Sequence, residues 1–310
     1  MTSQTSNGLL ITGATGKQGG GVIDSLLSWP AGTSEFTILA VTRNPESSSA
    51  QSLAQRKNVK IIKGDLNDVP GLFNTAKAVH PNIWGVFSVQ IPMGQGQSPE
   101  TEEKQGKALV DEAIKHGVKK FVYSSVDRNG DKSINNPTHV PHFISKHNIE
   151  KHLIEKTKGT DMNYTILRPV AFMENFQPGF MGKAFGAVVS VGLPPDTPLQ
   201  LISVSDIGFF AADAFRNPTK YHNASFSLAG DSLTWQQMDQ AFKDKTGSPA
   251  PRTWGFVGSG LLWAVKEMGT MFEFFREKGY GADIPALKTQ HPGLMTLADW
   301  IEKKSAFAKK

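Results

Sequence analysis

The chain has 310 residues, long enough to bury a sizeable core as one large domain or as a main domain with a smaller one. Hydrophobic residues make up 39% and charged residues 20%, the balance of a folded globular protein and not of a disordered or fibrous one. The absence of cysteine excludes a disulfide framework, a thiolate metal site and a cysteine nucleophile, and the net charge of +5 suits acidic small ligands without the banded basic and aromatic residues of a nucleic-acid surface.

Met1 to Gly8 is polar and lacks the basic flank and apolar core of a secretory signal, so the expected compartment is the cytoplasm, with access to the nucleus. Leu9 to Ile11 reads as a short buried strand. It breaks at once into Gly13, Ala14, Thr15, Gly16, Lys17, Gln18 and Gly19, and a helical stripe of Val22, Ile23, Leu26 and Leu27 follows. Strand, tight turn and helix in this order form a dinucleotide phosphate site: Gly13 permits the turn, Gly16 lets the backbone approach a pyrophosphate, and Gly19 lets the helix pack on the strand. The phosphates then sit on the N–H groups of the helix N-terminus. A glycine-rich turn without a ligand is the plainer reading of the same residues, and the strand–helix alternation that follows argues against it.

Phe36 to Val41 is a second buried strand, closed by Thr42-Arg43-Asn44-Pro45. NAD-selective sites close this strand with an acid that binds the adenosine ribose hydroxyls. Arg43 stands there instead, and a guanidinium matches a 2′-phosphate, so the expected cofactor is NADP(H), with NAD(H) as the alternative. Ser47 to Lys57 reads as a short helix and Val59 to Ile62 as a third strand ending in Lys63, Gly64 and Asp65. The Asp65 carboxylate is placed either to accept from the adenine amino group or to cap the next helix. Gly71 to Val79 is helical. Ile83 to Val89 is a fourth strand whose end, Ser88, Val89 and Gln90, passes beside the cofactor ribose. Pro99 to His116 is an amphipathic helix, and Lys120 to Ser124 is a fifth strand with Ser124 and Ser125 at its C-terminal end. Five strands separated by helices predict a parallel, doubly wound sheet with its ligand at the carboxyl ends of the strands.

A polar loop, Asp127 to Pro141, precedes a helix carrying His142 and Lys146, and Asn163 to Leu167 is a sixth strand. Beyond Arg168-Pro169 the chain is rich in glycine and proline through Pro198. A strand at Leu199 to Val204 follows, then helices near Asp206 to Phe215, Trp235 to Thr246 and Val257 to Lys278. The expected division is a nucleotide-binding domain over 1–170 and a smaller part over 171–310 that binds substrate or partner. The most apolar window, Val257 to Phe275, is interrupted by Lys266, Glu267 and Glu273 and fails the length test for a membrane span. His139, His147 and His152 stand at offsets from His142 that put no ligand set on one helix face, so no metal is expected.

Gly-Ala-Thr-Gly-Lys-Gln-Gly, Val-Thr-Arg-Asn-Pro, Gly-Asp-Leu, the His142/Lys146 pair and Leu-Arg-Pro followed by Phe-Met-Glu-Asn, in this order, make the chain resemble the NmrA-like family over nearly its whole length. That family is an atypical branch of the short-chain dehydrogenase/reductase superfamily. The resemblance implies an α/β fold, a doubly wound parallel Rossmann-type sheet with a smaller C-terminal α/β lid domain. It implies NAD(P) contacts at Gly13 to Gln18, Arg43, Lys63 to Asp65, Ser88 to Gln90, Lys146 and Phe172, Met173, Glu174 and Asn175.

The superfamily's catalytic pattern is a tyrosine four residues before a lysine on one helical face, assisted by a serine from the fifth strand. By this match the lysine is Lys146 and the serine Ser124 or Ser125. His142 occupies the tyrosine position. An imidazole can serve as acid or base near neutral pH, and a histidine that packs or caps beside the cofactor is the competing role. Two functions follow: an NADPH-dependent reductase of a small apolar or aromatic carbonyl, imine or enone, placed first; and a non-catalytic NAD(P) redox sensor that regulates a protein partner such as a transcription factor.

Overall fold

A computed structural model describes residues 6–28, 36–92, 94 and 96–308; the part of the N-terminal stretch up to residue 5 lies outside the described residues. In chain order the elements are β1 (Asn7–Ile11), α1 (Lys17–Ser28), β2 (Phe36–Thr42), α2 (Ser48–Ala54), β3 (Val59–Lys63), α3 (Val69–Val79), β4 (Ile83–Ser88), α4 (Pro99–Lys115), β5 (Lys120–Ser124), α5 (Pro141–Lys156) and β6 (Asn163–Pro169). Then come β7 (Ala171–Phe172), α6 (Phe180–Gly192), β8 (Leu199–Ile202), α7 (Val204–Arg216), β9 (Ala224–Leu228), β10 (Asp231–Leu233), α8 (Trp235–Thr246), α9 (Gly255–Ala264), α10 (Lys266–Glu277), α11 (Ile284–Gln290) and α12 (Leu297–Lys303).

The main sheet has the order β3-β2-β1-β4-β5-β6-β9, and β1 to β6 pair in parallel. The chain winds outward from β1 to β3, then crosses back to β4 and winds the other way. The reversal opens a crevice between the carboxyl ends of β1 and β4, where a doubly wound sheet takes its ligand. Strand runs such as Leu9-Leu10-Ile11 and Ile38-Leu39-Ala40 are buried on both faces because helices cover both. Leu10, Leu39, Val86, Phe121 and Ile166 pack with Leu72, Phe73, Leu109, Ile149 and Leu153. Each such side chain contributes about 1.5–3 kcal/mol of burial.

Two compact units result. The first comprises 1–125, 145–167 and 207–225; the second comprises 126–144, 168–206 and 226–310. A single boundary at residue 170 therefore does not describe the chain. Residues 126–144 belong with the second unit, and most of α7 returns to the first because Gly208 packs directly on the backbone of Gly21, where a Cβ would meet Gly21 C at 2.5 Å. The second unit has its own three-stranded sheet, β10-β8-β7, and a core in which Phe143, Met173, Phe176, Phe242, Phe272 and Trp300 meet.

The loop at 127–141 folds around a buried arginine, while Asp131, Lys132, Asn135, Pro137 and His139 stay exposed. Arg128 is fully buried and its guanidinium donates to the carbonyls of Val126, Ser133 and Asn136, each at 2.9 Å. Asp127 accepts from the N–H groups of Asn129, Gly130 and Gly281 at 2.8, 2.9 and 3.0 Å. The expected helix from Val257 to Lys278 is two helices, because Val265 between them is extended (φ −103°, ψ 91°). α9 lies against α6 through Gly258, whose Cβ would meet Ala187 C at 2.7 Å, and Gly269 of α10 folds back on the Leu262 carbonyl. An unbroken helix could not make both contacts. Phe180 and Met181 of α6, Phe256 and Trp263 of α9, and Trp254 just before it remain exposed, Trp263 at 88%. No helix among the described residues is long and apolar enough to cross a membrane.

Candidate functional site

Thr12 ends β1 and ties it to β4. Its hydroxyl donates to the Phe87 carbonyl at 3.0 Å and accepts from Val89 N–H at 2.9 Å. The turn that follows needs its glycines. Gly13 has φ +59°, and a Cβ there would meet Val89 Cγ1 at 2.8 Å; at Gly19 a Cβ would meet the Thr12 carbonyl oxygen at 2.7 Å. Gly16 N–H donates to the Gly13 carbonyl at 2.9 Å, closing the turn at the start of α1. Thr15 and Gly16, just before α1, line the crevice, and the helix that follows begins with N–H groups that have no carbonyl four residues back within it.

A cavity of about 420 Å³ opens at this point. Thr12, Gly13, Thr15 and Gly16 form one wall, Thr42, Arg43, Asn44, Ser47 and Ser49 a second, Gly64, Asp65 and Leu66 a third, and Val89, Gln90, Ile91, Gln97 and Gln105 the last. These residues fit a dinucleotide on three counts. The turn packs too closely for a Cβ at Gly13 or Gly19, so it presents bare backbone at the cavity wall. Gln90 Oε1 is buried without a hydrogen-bond partner among the described residues, while its Nε2 donates to Ser88 Oγ at 2.9 Å. Arg43, exposed at the end of β2, supplies a cation at the rim.

Other expected residues sit nearby in different roles. Ala14, Gly19 and Ser88 are buried behind the wall, and Lys17 and Lys63 are exposed. Asp65 lines the cavity and accepts from Asn67 N–H at 2.8 Å; the cap of α3 is Asp68, which accepts from Gly71 N–H at 3.0 Å. The capping role considered for Asp65 therefore falls to Asp68. Gln18 accepts from Ser124 Oγ at 2.5 Å, which joins the first turn of α1 to the end of β5. Ser125 Oγ donates to Glu150, a carboxylate buried in α5. Lys146 Nζ donates to Glu102 Oε1 at 2.7 Å, and Ser145 Oγ donates to Glu102 Oε2.

Glu102, Gln97 and Gln105 were not among the sequence candidates. The signal for Glu102 and Gln105 was polar residues on the face of α4 that its apolar stripe buries, which they share with Leu109 and Ala113; Gln97 precedes the helix.

Within the second unit, His142 is held by Glu267 in the first turn of α10. Its Nδ1 lies 2.5 Å from Glu267 Oε1, and its backbone N–H donates to the same oxygen at 3.0 Å. A carboxylate can only accept, so His142 donates both bonds, one from Nδ1 and one from its backbone N–H. The break at Val265 is what places Glu267 at a helix start. Met173 is fully buried in that unit's core. Glu174 accepts from Val204 N–H at 3.1 Å, from Ser203 Oγ at 3.3 Å and from Trp300 Nε1 at 3.0 Å, so it anchors the start of α7, and burial pushes its carboxyl above the usual range. Phe172 and Asn175 flank them, half-buried.

The model of the NmrA-like family matches residues 5–302. The chain belongs to the NmrA-like family. Among its relatives is the NmrA-like family domain-containing oxidoreductase ptmS of Penicillium ochrochloron, 27% identical over 302 residues, which cover 89% of this chain and 85% of that one. Solved structures of similar fold include the negative transcriptional regulator NmrA in complex with NAD, with a TM-score of 0.71 at 17% identity over 97% of this chain and 96% of that one. The triphenylmethane reductase of Citrobacter sp. complexed with NADP(H) has a TM-score of 0.70 at 18% identity over 96% and 99% of the two chains. The seven-stranded, doubly wound sheet of this member is thus the fold of its family.

Proposed function

We propose that this NmrA-like protein is an NADPH-dependent reductase of a small apolar or aromatic carbonyl, imine or enone. The observation that carries the reading is the cavity at the β1/β4 reversal: a glycine cradle, an orphaned Gln90 acceptor, and Arg43 where an NAD-selective site has an acid. The oxidoreductase names of relatives such as ptmS and the NADP(H) complex of triphenylmethane reductase support it.

When bound, the dinucleotide supplies a hydride. The chain's own residues have the remaining work. Gly13 to Gly16 and the start of α1 hold the pyrophosphate, Arg43 the 2′-phosphate, Asp65 the adenine, and Lys146 the nicotinamide ribose. In this reading Ser124 holds the substrate oxygen, and Ser125, through Glu150, steadies α5. His142, with its Nδ1 proton committed to Glu267, holds at Nε2 the proton that the reduced substrate takes up.

Calorimetric titration with NADPH, NADP⁺, NADH and NAD⁺ tests the reading first. NADPH should bind most tightly, and a carbonyl, imine and enone screen should then find NADPH oxidation that His142→Ala lowers at least about a hundredfold. Preference for an oxidised form, with no turnover on any acceptor, would overturn it.

The exposed aromatic face of α6 and α9 favours a second reading, a nucleotide-loaded regulator that docks a protein partner such as a transcription factor. Discrimination between reduced and oxidised nucleotide without turnover is its signature.

A further inference from the structure

We infer that Glu102 is the positioning residue for Lys146, so that nicotinamide-nucleotide affinity depends on α4 as well as α5; this rests on the proposed role of Lys146 as the ribose ligand. The two helices pack side by side in parallel register. Glu103 Oε2 accepts from Asn148 Nδ2 at 2.8 Å, Gly106 leaves room for Ile149, whose Cγ1 would lie 2.8 Å from an added Cβ, and Asp111 Oδ1 lies 2.7 Å from His152 Nε2. One turn before Gly106 the same register sets Glu102 against Ser145 and Lys146.

Glu102 is fully buried, and both its oxygens are taken, one by Ser145 Oγ and one by Lys146 Nζ at 2.7 Å. The serine fixes the carboxylate, and the carboxylate fixes the lysine. An ammonium has three N–H donors. Glu102 takes one of them, and two remain for the hydroxyls of a ribose.

The lysine stem is flexible, and a ligand that had to order it would lose affinity to the lost rotamer freedom. Glu102 orders it in advance. Net stability does not explain the pair, because a buried ion pair contributes little over apolar residues of the same volume. The link to the cavity is α4 itself: Gln105, three residues beyond Glu102 on the same face, lines the cavity, and its Nε2 donates to Gln97 Oε1 at 3.0 Å and to Asn67 Oδ1 at 2.9 Å.

The test is calorimetry of the full chain with two ligands: NADPH, and adenosine 2′,5′-bisphosphate, which carries the adenosine end and no nicotinamide ribose. Glu102→Gln leaves a buried ammonium without its counter-ion, so Glu102→Asp, which keeps the charge and shortens its reach, is made beside it. Lys146→Met and the double variant E102Q/K146M complete the cycle. Each Glu102 variant should weaken NADPH about tenfold or more and leave adenosine 2′,5′-bisphosphate unchanged; the double variant should bind NADPH no more weakly than Lys146→Met alone. Equal weakening of both ligands would make Glu102 a structural residue only and overturn the inference. So would wild-type NADPH affinity in the Glu102 variants beside a weakened Lys146→Met. A wild-type chain that binds neither ligand would instead overturn the proposed function, and this inference with it.

Discussion

Arg43 stands exposed where β2 ends, and its chemistry reaches the cavity through one side chain. If Arg43 holds the 2′-phosphate as proposed, Arg43→Asp should lower NADPH affinity relative to NADH by at least about tenfold, because repulsion replaces a charge-assisted hydrogen bond; an unchanged ratio in paired titrations would remove the arginine from the site. Lys120 has a different fate. It is fully buried at the start of β5, and its Nζ donates to Asn163 Oδ1 at 2.8 Å and to the Tyr221 carbonyl at 2.9 Å. Burial penalises its ammonium and lowers its pKa from 10.5 to about 7. Between those values the unfolded chain holds a proton that the folded chain has released. Stability therefore climbs as pH rises through this window, by at most about 1.4 kcal/mol per pH unit, and the full penalty stands below it. Lys120→Met should flatten that climb, as urea midpoints at the two ends of the window will show.

Gly13, Gly16 and Arg43 were legible in the sequence because the meaning of each depends on its immediate neighbours. Glu102 and Glu267 were not. Their partners lie 44 and 125 residues away; Glu102 left only a polar residue on an apolar helix face, which does not name its partner, and Glu267 left no local mark.

Between β1 and α1 the packing leaves no room at Gly19. Gly19→Ala would drive a methyl into the Gly13 and Thr12 carbonyls, backbone atoms that cannot turn aside. We expect a loss of about 2 kcal/mol or more in denaturant unfolding, together with loss of NADPH binding, because the turn that lines the cavity moves with α1. Gly20→Ala, whose nearest such contact is the Ala14 carbonyl oxygen at 3.6 Å, should be mild by comparison. The strands of the main sheet were readable element by element, since β2 and β4 are apolar runs bounded by turns. The break between α9 and α10 was not. Val257 to Lys278 keeps a helical spacing through Val265, and the interruption arises from the close seats of Gly258 on α6 and Gly269 on α9. Short strands such as β7 and β10 carry too few residues to show a period. The loop at 127–141 reads as polar, yet it folds around its own buried arginine.

The chain passes between its two units at 125/126, 144/145, 167/168, 206/207 and 225/226. A fragment of residues 1–170 keeps β1 to β6 but loses 207–225, which supply the Tyr221 carbonyl to Lys120, Gly208 to the Gly21 backbone, and Phe215 to Gly85, where a Cβ would meet its ring at 3.0 Å. Circular dichroism of that fragment should show no cooperative urea transition, whereas the full chain should show one; a two-state fragment would show that the sheet does not need 207–225.

The exposed indoles at either end of α9 give the molecule an optical signature. Trp254 and Trp263 stand 72% and 88% exposed, while Trp300 is buried in the second unit's core at 3%. Their emission belongs at the red, water-relaxed end of the tryptophan range and that of Trp300 at the blue end. A body that covers α9 will therefore shift the spectrum blue and shield it from iodide quenching, so the face reports its own occupancy without a label.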